Sequence, residues 1–512
     1  ERARAEGNAQ LANDIEDNCH YILQCSSDEA FLALLNRATE SGLTDRPTAN
    51  AILDELSAAT CDDKGGICAF NGTGNSSRTL FSALGFVPEH SELLVNEAPT
   101  GLVAHNVDTL FRLINKPEYA VCELVERNYA NAIRIHNATG SSSNLMLHMP
   151  CIMRHAGFDV SLFDYEKVRQ AHVVPDIFAH SLTEGRDTFV LAQQEKSGLH
   201  HGMTSLYKVL HDLSVPMDWD SPTVSGKTWG QRVAELSEAV SPELSQERSI
   251  IRINPVRDIS GTDIIRGNFF SSCTLKIAGM STESYSRYDG RVFLVRYFEN
   301  ETPCNQELSS GNLISTLCHM PELTADLLVA LRRLNGASED EDVATMITRG
   351  TLAFAFVIAG QGPKAFGMPE LFAPSQYLRH HGVVEKTSMM ITDGRYSGVT
   401  KGACVGHMVP EAYDGGGIGA LVNGDLLWVR LKDRRIDLLD KSAFLRGAIV
   451  PYERPPTAER SALVALRRKS IEHRQRQIAA CCVLDNVTDA EYGVVPLAVH
   501  RRATIPWRPE RC

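Results

Sequence analysis

No apolar run in this 512-residue chain approaches the roughly 20 residues of a membrane-spanning helix, so nothing in the sequence reads as a membrane span. Positive charge is also short. Lysine and arginine number 51 against 63 aspartate and glutamate, and the net charge of −12 argues against nonspecific binding of nucleic acid or anionic lipid, which need a positive field. A dense cysteine framework is missing as well: thirteen cysteines are scattered, with only Cys481 and Cys482 adjacent, which excludes the disulfide scaffold of a small secreted domain. A reducing, cytoplasmic setting is the expectation. The sequons at Asn71, Asn137, Asn300 and Asn486 argue for secretion, but such triplets arise by chance in long chains and carry little weight. The chain opens "ERARAEGNAQ", without a methionine or a signal-like apolar core, and further residues are expected to precede it.

What remains is an ordinary globular composition, 43% hydrophobic and 22% charged, which gives no sign of disorder. The length suits two or three domains, and a small-molecule substrate is the default partner. Residues 1–60 place apolar side chains at spacings of three and four in "DEAFLALLNRATESGL" and "PTANAILDELSAAT", the pattern of surface helices. From 61 to 240 an α/β domain is expected. There, "CDDKGGICAFNGTGNSSRTLFSALGF" runs from a glycine-rich cysteine loop into a helix near Ser76, and "NATGSSSNLMLHMPCIMRHAG" into a helix from Asn144 to about His155.

Between 250 and 440 the texture becomes mostly β and barrel-like. "RSIIRINPV", "TDIIRGNFF", "CTLKIAGM", "GRVFLVRYF", "LAFAFVIAG", "SMMITDG" and "GALVNGDLLWVRLKDRRIDLL" are short, rich in β-branched and aromatic residues, and punctuated by glycine. Residues 441–512 read as a helical tail, with a solvated basic helix over 457–482. The fold class expected is therefore α/β, an N-terminal α/β domain followed by a mostly β, barrel-like C-terminal domain.

Several motifs tempt and fail. "SPTVSGKTWG" ends like a phosphate-binding loop, but Ser221 stands where its first glycine belongs and no buried strand precedes it, so it reads as a surface turn. His200 and His201 are neighbours and would point apart. Cys61 and Cys68 have no second pair at zinc-ribbon spacing, though a lone thiolate such as Cys68 can serve an iron–sulfur cluster. In "AGQGPKAFGMPELFAP", Glu370 follows an apolar strand, where a carboxylate either holds a hard cation or complements a helix dipole. In "ITDGRYSGVTKGACVGH", glycines 394, 398, 402 and 406 bracket Ser397, which is either an exposed nucleophile or proton acceptor or merely a backbone cap.

Taken in order, "ATGSSSNLMLHMPCIMRHAG", "NPVRDISGTDIIRGNFFSSCTLKIAGM", "GQGPKAFGMPELF" and "TDGRYSGVTKGACVGHMVPEAYDGGGIGALVNGDL" resemble the dihydroxy-acid dehydratase and phosphogluconate dehydratase family, which includes sugar-acid dehydratases. "GGICAFNGTGNSS" looks like that family's cysteine loop. The resemblance spans about 65–440. It implies loss of water from a 2,3-dihydroxy carboxylate, a sugar acid or branched dihydroxy acid, to give a 2-keto-3-deoxy acid. It further implies an iron–sulfur cluster (2Fe-2S or 4Fe-4S), Mg2+ and a homodimer or homotetramer. Carried over by position, Cys68 resembles a cluster ligand, Glu370 a Mg2+ ligand, Ser397 the base and Thr400 a substrate-binding residue.

The departures are specific. The family's Cys-Asp-Lys motif belongs further upstream of Cys68 than this chain extends, and "CDDK" at 61–64 falls out of register. Cys19 and Cys25 lack that motif's glycines and prolines. Ser141, His201 and Thr204 replace glycines and a proline usual at their positions. A fragment of a dehydratase or a divergent relative without the cluster is the expectation, and a catalytically silent sugar-acid-binding or structural subunit is the alternative.

Overall fold

The computed structural model describes residues 2–9, 11–12, 28–59, 72–89, 91, 99–177, 203–235, 261–379, 381–398, 400, 402–453, 457–479 and 481–508. The chain forms two compact units, one of Glu1–Cys19, Ser27–Glu55 and Asp263–Ala490, the other of His20–Ser26, Leu56–Thr262 and Glu491–Cys512. Helices and sheet are both present, as the α/β class requires. The expected strand "RSIIRINPV", Cys19, Cys25, Cys61, Cys68, His200 and His201 lie outside the described residues.

The strands described run from β1 (Phe158–Asp159) to β10 (Ile505–Pro506). Eight of them are β2 (Thr262–Gly267), β3 (Phe270–Lys276), β4 (Arg291–Phe298), β5 (Phe354–Ile358), β6 (Ser388–Thr392), β7 (Ala403–Val409), β8 (Leu426–Arg430) and β9 (Arg435–Leu438). These eight close into a barrel in the order β2-β3-β7-β6-β5-β4-β8-β9. Strands β4 to β7 pair parallel, which needs long crossovers, and helices fill the crossovers from β4 to β5 and from β5 to β6. That covering explains why "FAFVI" and "SMMIT" are buried at every residue instead of alternating with polar ones.

Alternation persists in what each side chain packs against. Phe293, Val295, Ala355, Val357, Met389, Ile391, Val405, Leu427 and Val429 belong to one apolar cluster. Their neighbours Leu294, Phe354, Phe356, Met390 and Leu426 pack with Leu308, Leu317, Leu327, Leu331 and Met346 from the surrounding helices. The helix-facing set is the outside of the barrel, so the first set fills its inside. Each fully buried aromatic such as Phe354 or Phe356 contributes about 1.5–3 kcal/mol. Helix boundaries follow local chemistry: Ala325–Asn335 starts at Thr324, whose hydroxyl accepts from Leu327 N, and stops at Gly336 with φ 64°.

Closure falls between the first and last barrel strands, where Arg266 and Arg435 are in parallel register. Asn268 fastens this seam. Its amide N–H donates to Asp437 Oδ1 at 3.0 Å, its side chain donates to the carbonyls of Leu438 (2.8 Å) and Tyr452 (2.9 Å), and its Oδ1 accepts from Leu438 N at 2.8 Å.

The basic tail helix is observed as Ala458–Gln475. It is less solvated than its composition suggests, because arginines seven apart lie on one face and reach barrel loops. Arg460 donates to Ala420 O at 2.9 Å and pairs with Asp425; Arg467 donates to Gly419 O at 2.8 Å; Arg474 donates to Gly360 O. Leu466, on another face, is exposed.

In the second unit, Val121–Ala138 is buried almost all round from Asn128 to Ala138, the mark of a core helix. Helices Thr73–Ala83, Leu145–His155 and Leu162–Ala171 surround it, and β1 pairs parallel with β10. The "SGKT" segment is a turn, as expected: Pro222 bridges Thr228, Gly226 has φ 82°, and Lys227 is paired with Glu235. At the two glycine- and serine-rich junctions, the polar side chains bond one another. Thr73 and Ser142 hydroxyls are 2.9 Å apart, Asn144 Nδ2 donates to Thr73 Oγ1 at 2.9 Å, and Ser142 N donates to Ser76 Oγ at 3.0 Å.

Candidate active site

In a sheet of parallel strands, ligands gather where the carboxyl ends meet. Beyond the end of β5 runs Ala359–Glu370, and beyond β6 runs Asp393–Thr400, so the two glycine-rich loops singled out in the sequence leave the same end of adjacent strands. Glycine permits their contact: a Cβ on Gly394 would lie 2.8 Å from Gln361 Cβ, and one on Gly362 would lie 2.2 Å from Glu411 Oε2.

The loops join further out. Glu370 and Arg395 form a parallel bridge, Leu371 N donates to Arg395 O at 2.8 Å, and Arg395 N donates to Pro369 O at 3.2 Å. Arg395 Nε also donates to Met368 O at 2.6 Å, and its Nη1 lies 3.6 Å from Glu370 Oε1. Two residues on, Ser397 is half-buried, and its carbonyl accepts from Thr400 N at 3.0 Å. Thr400 is buried, and its Oγ1 has no hydrogen-bond partner among the described residues. Leaving a buried hydroxyl unpaired costs about 1–3 kcal/mol, so this oxygen suits a ligand.

Two acids at this end of the strands, and one base where the Ser397 loop returns to the start of β7, were not foreseen from sequence. Asp393 is fully buried and accepts from Gln361 N (2.8 Å), Ala412 N (2.9 Å) and Gly360 N (3.1 Å). Burial pushes its carboxyl up, against the pull of those three N–H groups. Glu411 accepts from Lys364 N and Ala365 N, both at 2.9 Å, and burial, followed by the charge of Asp393, pushes it up to about 8. The third is Lys276 at the end of β3, buried, with Nζ donating to Gly398 O at 2.8 Å. Their only signal was a charge directly after an apolar strand, in "ITDG" and "CTLK", or set among small apolar residues, in "VPEAY".

Of the residues predicted for the site, the structure brings together the loops carrying Glu370, Ser397 and Thr400, while Cys68 lies outside the described residues. Glu370, a part-exposed carboxylate, fits one position in the oxygen shell of Mg2+. Among the described residues no group of three His, Cys, Asp or Glu is placed to hold a metal ion. Burial pushes the Cys404 thiol of the barrel up to about 12 and raises that of Cys273 strongly, so in the metal-free protein both are neutral thiols. No helix described is long and apolar enough to cross a membrane.

Fold and site together define an α/β protein whose closed barrel presents a serine and a carboxylate on loops from neighbouring strands. The N-terminal domain signature of the dihydroxy-acid/6-phosphogluconate dehydratases matches residues 35–232, and their C-terminal domain signature matches 335–476. The chain belongs to the dihydroxy-acid/6-phosphogluconate dehydratase family, and the family's N-terminal domain is present in it. It is 27% identical to a dihydroxy-acid dehydratase of Methanothrix thermoacetophila over 79% of this chain and 65% of the relative. It is 24% identical to one of Methanococcoides burtonii over 73% and 58%, and 28% identical to the chloroplastic enzyme of Arabidopsis thaliana over 73% and 53%. The chain thus spans about three fifths of the length of the curated relatives it matches.

Proposed function

We propose that the chain is a hydro-lyase that converts a 2,3-dihydroxy carboxylate, either a sugar acid or a branched dihydroxy acid, to a 2-keto-3-deoxy acid. The observation that carries this reading is the bridge between Glu370 and Arg395, which sets the Ser397 loop beside the Glu370 loop at one end of the barrel. The relatives named dihydroxy-acid dehydratase support the reaction class.

In this reading Ser397 Oγ, as the alkoxide, takes the proton from C2. The C2–H electron pair forms the C2–C3 double bond, the C3 hydroxyl leaves and gains a proton to become water, and the enol tautomerises to the ketone. Thr400 Oγ1, buried without a partner among the described residues, donates to a substrate oxygen. Glu370 is the proposed Mg2+ ligand; Mg2+, when bound, supplies a positive field that favours the alkoxide and the developing enolate. Cys68 is the proposed ligand of a 2Fe-2S or 4Fe-4S cluster. No step is derived through the cluster. A homodimer or homotetramer in the cytoplasm completes the proposal.

The test is to supply anaerobically purified protein, with Mg2+, with a pentonate, a hexonate, a phosphorylated hexonate and a branched 2,3-dihydroxy acid, and to assay 2-keto acid. Formation from at least one is expected. Protein that contains iron and sulfide yet dehydrates none of them would overturn the proposal.

A further inference from the structure

The Ser397 loop is held at two points by one short segment on the neighbouring strand end. Lys276 closes β3, and the 3₁₀ turn Ile277–Gly279 follows it. Lys276 Nζ donates to Gly398 O at 2.8 Å, and Gly279 O accepts from Gly402 N at 2.9 Å. Between these anchors, Thr400 N closes on Ser397 O at 3.0 Å. The fit is tight, because a Cβ on Gly279 would lie 3.2 Å from Thr400 O.

A buried lysine beside a loop is costly unless its ammonium is bonded, and here one bond goes to the residue directly after Ser397. A charge-assisted bond of this kind is roughly twice as strong as a neutral one. It opposes rotation of the Ser397–Gly398 peptide, and with it any drift of Ser397 Oγ. Small displacements of a reacting group cost rate steeply, about a hundredfold for 1 Å.

We propose that Lys276 is the positioning residue for Ser397, fixing the 397–402 loop from the β3 end through the Gly398 carbonyl. The catalytic part of this inference rests on Ser397 being the base; the structural part does not.

Hydrogen exchange on the full-length protein separates the two. In Lys276→Met, the Thr400 and Gly402 amides are expected to exchange at least tenfold faster, with β5 and β6 unchanged, and Lys276→Arg is expected to restore most of the protection. In turnover of whichever of the four acids the wild type dehydrates, Lys276→Met is expected to lower kcat at least tenfold with KM within twofold, and Lys276→Arg to recover most of kcat. Unchanged exchange and unchanged kcat in Lys276→Met would overturn the proposal. So would a failure of both Lys276→Met and Lys276→Gln to fold beside a sound Lys276→Arg, which would assign Lys276 to the fold instead of the loop. A fully active Ser397→Ala would remove Ser397 as the base while the exchange result still decided whether Lys276 holds the loop.

Discussion

Asp393 and Glu411, both fully buried, divide the backbone of one loop between them: Asp393 accepts from Gly360 and Gln361 at its start, and Glu411 accepts from Lys364 and Ala365 just beyond. Each carboxylate thus satisfies amides that the end of β5 leaves without a strand partner. Their nearness raises the cost of charging both, and burial together with the charge of Asp393 pushes Glu411 up to about 8.

This pairing sets a pH dependence. Glu411 is raised from 4.5 to about 8 in the folded protein, so between those values the folded state holds a proton that the unfolded chain releases. Its contribution to stability is complete below pH 4.5 and is lost as pH rises through 8, a change on the order of a few kcal/mol. Urea unfolding of wild type and Glu411→Gln across that range is the measurement. The variant is expected to lose most of the slope, while paying about 1–3 kcal/mol at low pH for an amide facing a backbone donor.

Ser397→Ala is expected to lower kcat about 100-fold or more, the usual loss for a general base. Ser397 is half-buried and lies outside both apolar clusters of the barrel, so the unfolding free energy should move by no more than about 0.5 kcal/mol. Steady-state kinetics and thermal unfolding on one preparation check both parts.

The proposed Mg2+ role of Glu370 can be separated from stability at its pair with Arg395. The pair is 3.6 Å apart and partly exposed, so its removal should cost at most about 1 kcal/mol. Glu370→Gln is expected to raise the Mg2+ concentration for half-maximal turnover at least tenfold. Arg395→Met should leave that concentration nearly unchanged and lower stability by about 1 kcal/mol, through the lost bond to Met368 O. Mg2+ titrations and urea unfolding of both variants decide it.

Two glycines should respond oppositely to alanine. A Cβ on Gly416 would sit 1.8 Å from Pro410 O, against backbone that has no room to give, so Gly416→Ala should destabilise by about 1–3 kcal/mol or more. Gly101 lies in the Thr100–Leu113 helix with nothing near its Cβ position, and Gly101→Ala should stabilise by about 0.4–1 kcal/mol. Thermal unfolding of the two proteins gives the signs.

Most of the barrel was legible because its strands are apolar and turn-bounded: the segments read as "TDIIRGNFF", "CTLKIAGM", "GRVFLVRYF", "LAFAFVIAG", "SMMITDG" and "GALVNGDLLWVRLKDRRIDLL" contain β2, most of β3, β4 to β6, β8 and β9. β7 was hidden. Its "ACVGHMV" carries Gly406, which read as loop, yet a Cβ at Gly406 would lie 3.2 Å from the Tyr396 ring and 3.4 Å from the Gly394 carbonyl, so glycine suits this strand position. Strand order and register were not legible, since they depend on which apolar faces meet in space. For the site, residue types and glycine spacing left Ser397 and Glu370 open between a chemical and a structural role, and only the family resemblance singled them out, whereas Asp393, Glu411 and Lys276 act through backbone groups distant in sequence, which no local pattern reports.

The seam that Asn268 fastens has an engineering meaning. Because β2 and β9 lie side by side in parallel, the polypeptide enters the barrel at one end, at the start of β2, and leaves it at the other, at the end of β9, and the strands between close the circuit. A crossover linker of about a dozen residues or more, running from the end of β9 back along the barrel to the start of β2, with new termini cut in an exposed crossover loop such as Ser338–Asp340, would yield a circularly permuted barrel with every strand pairing kept.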